Sequence, residues 1–182
     1  MRAFPITVTA LAAALLLTAC DSGGSSGSGS DDTGSKNTDR TDRTACAVSG
    51  VALQVGPVSA APSAGDTGDV PLTLTNRGAR CTLQGFPGAT LSSGSGSATV
   101  AADHTGTPQK LTLAKGDTAT FTLTYTRGKE GDAKSIAATS LKVGLPGAAH
   151  STRSFPWSYG PVQTKSAGAA DASVTAFQQA GD

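Results

Sequence analysis

Methionine, histidine and glutamate are nearly absent from this 182-residue chain. Met1 is the single methionine, His104 and His150 are the two histidines, and Glu130 is the one glutamate. Copper and zinc centres need several soft or imidazole ligands close together. Two histidines make such a centre only if carboxylates complete it, so both are read as exposed loop residues and no metal is expected. Glycoside hydrolysis needs two placed carboxyl groups. Glu130 and Asp132 lie in a Gly-flanked charged stretch that reads as a solvated turn. The Gly-x-Ser-x-Gly spacing occurs at Gly23 to Gly27, inside a Gly/Ser-rich run with no strand pattern before it, so no serine occupies a nucleophile elbow. Neither catalysis nor a cofactor is expected on these grounds.

No apolar run is long enough to cross a bilayer. Ile6 to Leu17 is twelve residues, broken only by Thr7 and Thr9, against about 20 for a spanning helix. Behind Arg2 it has the form of an export signal. It runs into Leu17-Thr18-Ala19-Cys20, which resembles the lipobox of bacterial lipoproteins. That resemblance implies cleavage after Ala19, a diacylglycerol thioether on Cys20, and anchoring at the outer face of a membrane. Two acyl chains on one residue anchor far better than one. The alternative is an ordinary secretory signal that leaves Cys20 free, although an exposed thiol is reactive in an oxidising compartment.

Cysteine is scarce as well. With Cys20 assigned to lipid, Cys46 and Cys81 remain. An even pair in an exported domain is the count for one disulfide. A two-cysteine metal site and redox chemistry are the competing readings, and neither a Cys-x-x-Cys spacing nor a nearby histidine favours them.

Between Asp21 and Thr44 there is no aliphatic or aromatic side chain other than the small residues of Gly23 to Ser30 and a mixed charged run. Such a segment buries too little surface to offset its ordering entropy and is expected to be disordered. Its 24 residues give a typical reach of roughly 27 Å. Five Asp against Lys36, Arg40 and Arg43 leave it at −2, which does not favour a polybasic lipid-binding patch. The expected organisation is therefore a signal peptide at 1–19, a lipidated cysteine and disordered tether at 20–44, a domain at 45–178, and a tail at 179–182.

The domain carries period-two alternation, the mark of strands with one buried face. Val51, Leu53 and Val55 alternate; so do Val70, Leu72 and Leu74; Leu111 and Leu113; Ala119, Phe121, Leu123 and Tyr125; and Leu141, Val143 and Leu145. Val174 to Phe177 is a candidate closing strand. Lys115-Gly116-Asp117 is expected to join two strands as a short hairpin. Asn76-Arg77-Gly78, Gly85-Phe86-Pro87-Gly88 and Pro146-Gly147 are further turns. Pro71 inside a strand points to an edge strand or an outward position. Leu91 to Ala102, rich in Ser and Gly, reads as an exposed loop or weak hairpin. Several short strands with regular turns argue for an all-β sandwich. From Ala45 to Lys165 ten basic and six acidic residues leave +4. That is a mild excess, suited to anionic envelope polymers but better read as solvated surface; nucleic acid is not an expected partner.

Several positions, in order, resemble a known family. Cys46 precedes the first strand. Leu72-Thr73-Leu74-Thr75-Asn76 is followed by Cys81-Thr82-Leu83-Gln84-Gly85-Phe86-Pro87-Gly88, and later come Leu111-Thr112-Leu113 and Lys115-Gly116-Asp117-Thr118-Ala119. These are similar to the actinobacterial exported family catalogued as domain of unknown function 4232, across most of Cys46 to Phe177. The resemblance implies an immunoglobulin-like antiparallel β-sandwich, a disulfide between Cys46 and Cys81, and an extracellular location. It implies no activity. Many members carry a second cysteine pair in the C-terminal half, whereas this chain has no cysteine after Cys81.

Phe155-Pro156-Trp157-Ser158-Tyr159 concentrates the aromatics, and Phe155, Trp157 and Tyr159 share one parity. On a strand they would line one face. They are either core packing or a ledge for a sugar ring or partner protein, where Tyr and Trp are enriched. The leading expectation is a membrane-anchored, non-catalytic binding or accessory module that meets an envelope protein or glycan. A structural envelope protein without a ligand is the second.

Overall fold

The computed structural model describes residues 44–148 and 151–180. The signal segment, Cys20, the tether up to residue 43 and His150 lie outside the described residues, which contain no helix long and apolar enough to cross a membrane.

The described residues are all-β. The strands are β1 (Val51–Val55), β2 (Thr67–Asn76), β3 (Cys81–Leu83), β4 (Gly88–Ser93), β5 (Gly96–Ala102), β6 (Leu111–Leu113), β7 (Thr118–Thr126), β8 (Ser135–Ile136), β9 (Ser140–Gly144), β10 (Thr152–Pro156), β11 (Val162–Ser166), β12 (Ala169–Val174) and β13 (Gln178–Gln179). Most join one sheet in the order β1-β2-β7-β12-β5-β4-β9-β10, with β11 beside β12 and β8, and β13 beside β7. This sheet curls until it is nearly barrel-shaped. β3 and β6 form a separate two-stranded ladder.

Alternation explains the central strands. β7 buries Ala119, Phe121, Leu123 and Tyr125 and turns its threonines outward. β2 runs antiparallel beside it, with Val70 opposite Leu123 and Leu72 opposite Phe121. One register step would move every one of these side chains to the wet face. Leu91, Leu141 and Val143 complete the core from the other half of the sheet. Each fully buried side chain of this size contributes about 1.5–3 kcal/mol.

Two expectations are corrected and two open ones are decided. Of the two readings of Leu91 to Ala102, the hairpin holds and the exposed loop does not: β4 and β5 pair, and β5 lies inside the sheet, parallel to β12. Only its tip carries the Ser-Gly character. Lys115 to Asp117 turns tightly, with Asp117 accepting from the Ala114 N–H, but it joins β6 to β7, which pair with different partners. It is therefore not a hairpin. Val174 to Phe177 is not a strand but the link between two: β12 ends at Val174, Thr175 turns its hydroxyl oxygen to accept from the Thr122 N–H, and pairing with β7 resumes at β13. Of the two positions expected for Pro71, the structure takes the outward one, in an interior strand rather than an edge strand. The Pro71 carbonyl accepts from the Gly56 N–H just past the end of β1, so the missing N–H falls where no ladder partner stands.

Asn76 is the one buried polar side chain among the described residues. Its Nδ2 donates to the carbonyls of Ala79, Leu113 and Ala114 at 2.9, 3.0 and 3.2 Å, and its Oδ1 accepts from the Gly78 N–H at 3.0 Å. The side chain thereby ties the end of β2 to the β6–β7 turn.

Candidate functional site

Phe155, Trp157 and Tyr159 do not form one ledge. β10 ends at Pro156, so strand parity stops there. Phe155 stays half-buried on an edge strand, while Trp157 turns inward and is only 5% exposed. The Trp157 ring meets Tyr125 at 5.0 Å and Tyr159 at 4.9 Å, both edge-on. Its Nε1 donates to the Gly160 carbonyl at 2.7 Å. The Tyr125 hydroxyl donates to the Tyr159 carbonyl and accepts from the Ala61 N–H. Each polar tip is satisfied within the fold, which is how buried Tyr and Trp are normally accommodated. A sugar ring has no access to the Trp157 face.

Cys46 and Cys81 are joined by a disulfide with an S–S distance of 2.09 Å. Beside it, Cys46 donates to the Thr82 carbonyl and Thr82 donates to the Thr44 carbonyl. The bond thus pins the first described residues to β3. His104 stacks edge-on against Phe86 at 4.9 Å. The Thr105 N–H bonded to Asp103 at 2.9 Å holds that carboxyl below the usual carboxylate range. No group of three or more potential metal ligands occurs among the described residues.

The concave surface lies elsewhere, around the segment from Arg127 to Ala137 that follows β7. Its backbone is fixed on both flanks. Arg127 donates to the Asp66 carbonyl and accepts from the Gly65 N–H, and Gly128 donates to the Pro161 carbonyl, each at 2.8 Å. β8 pairs with β11 through Val162 and Gln163, and the Asp132 carboxylate accepts the Lys134 N–H at 2.8 Å. The Arg127 guanidinium reaches the carbonyls of Ala61 and Pro62 through Nη1. Two glycines permit this packing. A side chain at Gly160 (φ 87°) would meet the guanidinium at 3.1 Å, and one at Gly128 would strike the Ser135 side chain.

Four hollows open around this segment. One of about 470 Å³ lies toward the β4–β5 tip and the β11–β12 turn. A second of about 250 Å³ lies toward Gly65. Others of about 550 and 270 Å³ lie toward β11 and toward Pro62. In the sequence, Glu130 and Asp132 read as part of a Gly-flanked solvated turn. Its three cations and two flanking glycines were visible, but its concavity is made by β4, β5, β11 and β12, which come from distant parts of the chain.

With this geometry in view, the family comparison gives one result. Residues 46–178 match the family described as Domain of unknown function (DUF4232). The chain belongs to this family. The matched span runs from the first disulfide cysteine into β13, so it covers the whole sheet and the candidate site. No curated protein and no solved structure matches the chain.

Proposed function

We propose that this DUF4232 chain is a membrane-anchored extracellular lipoprotein whose domain is a non-catalytic binding or accessory module of the cell envelope. The observation that carries the binding role is the convergence of four hollows on one hydrogen-bonded segment, 127–137. A fixed backbone reduces the ordering cost of binding. The anchoring rests on Leu17-Thr18-Ala19-Cys20 behind a short apolar run. The disulfide agrees with an oxidising compartment. On the family resemblance the all-β domain is taken as an immunoglobulin-like antiparallel β-sandwich, its main sheet curled and its β3–β6 ladder separate.

The burial of Trp157 favours the second reading, a structural envelope protein with no ligand, because it removes the aromatic ledge. Crosslinking on intact cells decides between them. A single reproducible protein or glycan captured through the domain supports the binding role. No specific capture by a folded, exposed domain supports the structural one.

A further inference from the structure

Lys129 lines three of the hollows, and two of these, which also share Asp132 and Ser135, differ in chemistry. The larger, of about 470 Å³, is lined by the serines and threonine at 93, 95, 97, 135, 164 and 166, with Ile136, Pro161 and several alanines between them. Its charged lining residues are Lys129 and Asp132, which balance. The volume falls in the range of small-ligand sites. The smaller, of about 250 Å³, is lined by Arg127, Lys129 and Lys134 against Asp132 alone, three positive charges to one negative. Lys129, Asp132 and Ser135 line both, so the hollows adjoin. The described ion pair nearby, Lys165 with Asp171 at 3.2 Å, involves none of these three cations. The Asp132 carboxylate already accepts the Lys134 N–H, and Arg127 is held in place by two carbonyls.

We infer that this juxtaposition of a neutral hydroxyl-lined hollow and a cationic one binds an anionic sugar, its polyol body against the serines and its phosphate or carboxylate between Arg127, Lys129 and Lys134. Hydroxyls act as both donors and acceptors, which suits a polyol. Guanidinium and ammonium groups supply charge-assisted hydrogen bonds to phosphate or carboxylate oxygens. Asp132, on the wall shared by both hollows, accepts from sugar hydroxyls. The contacts on Lys129 and Lys134 are solvent-exposed, so each adds modestly and weakens as salt rises. This inference rests on the binding reading above and narrows it to one ligand class.

The test is amide chemical-shift titration of the full chain, made soluble by Cys20→Ala. The probes are glucose 6-phosphate, glucuronate, glucose and inorganic phosphate. The anionic sugars should shift amides in 93–97 and 129–135. They should bind more tightly than inorganic phosphate, which lacks the polyol body, and roughly tenfold more tightly than glucose, the ratio for two exposed charge contacts of about 0.7 kcal/mol each. Lys129→Ala with Lys134→Ala should remove the advantage over glucose and leave the thermal midpoint unchanged, because both side chains are exposed. Three results overturn the inference: no shift with any probe, equal binding of inorganic phosphate and glucose 6-phosphate, or shifts confined to other surfaces. Failure here alongside specific capture on intact cells leaves the binding module standing with a different ligand.

Discussion

Replacing Asn76 probes the joint that holds the two ladders together. Its side chain is 1% exposed and makes four described hydrogen bonds, three as donor and one as acceptor. The two amide hydrogens serve three carbonyls, so one is shared. Asn76→Ala removes all of these and leaves the Leu113 carbonyl without this partner. At about 1 kcal/mol net per bond, more for a buried group left unpaired, the loss is about 3 kcal/mol. That is a large part of the 5–15 kcal/mol typical of a domain. Asn76→Asp keeps the shape and the Gly78 contact but aims a carboxylate at the carbonyls. The ionised form is disfavoured there, so the folded-state pKa of the new Asp is raised above its unfolded value near 3.9. By linkage the variant is most stable below that unfolded value, where its protonated O–H can still donate. It loses stability as pH rises through the folded pKa. Urea unfolding of wild type and both variants at pH 4 and pH 7 measures this. A loss below about 1 kcal/mol for Asn76→Ala, or an Asn76→Asp variant that parallels wild type between the two pH values, would refute the reasoning.

Three further outcomes follow from named contacts. A methyl at Gly68 would lie 2.6 Å from the Ala61 nitrogen, 2.7 Å from Tyr125 Cε1 and 2.9 Å from the Ser59 carbonyl. Backbone on two sides cannot yield cheaply, so Gly68→Ala should lower stability by at least about 2 kcal/mol in urea; a neutral result would mean that β2 and the 59–61 segment are not held this close. Replacing Cys46 and Cys81 together by Ala opens a loop spanning 35 residues, and the chain-entropy estimate is a loss of about 4 kcal/mol. Equal midpoints for the native and double-alanine proteins would contradict it. Cys20→Ala should release the protein to the medium or leave it unprocessed, read by fractionation and mass; membrane retention at mature size would exclude the lipid anchor.

The parts of the fold legible in the sequence are those built on strict alternation. β1, β2, β6, β7 and β9 lie where their alternating residues stand, because a half-buried strand writes its register into every second side chain. β4 and β5 were obscured by their composition: the serines and glycines of the tip mask Leu91 and Ala98, both buried. The parallel pairing of β5 with β12 joins residues about seventy positions apart, and no local signal records it. Parity also misled beyond Pro156, where the chain leaves the strand and Trp157 turns toward Tyr125. The candidate site shares this non-local character. Its cations could be counted in the sequence, but the walls facing them come from other strands.

The central claim is that the 127–137 face meets the partner. Photo-crosslinking on intact cells, with the reactive group placed at Ser95 in one protein and at Gln54 on β1 in another, tests it most directly. Ser95 lines the hollow of about 470 Å³, while Gln54 is exposed on the opposite terminal strand of the sheet path from β10. The account predicts a specific adduct from Ser95, lost on Lys129→Ala with Lys134→Ala, and none from Gln54. A specific adduct from Gln54 alone, or none from either position in a folded and surface-exposed protein, would contradict it.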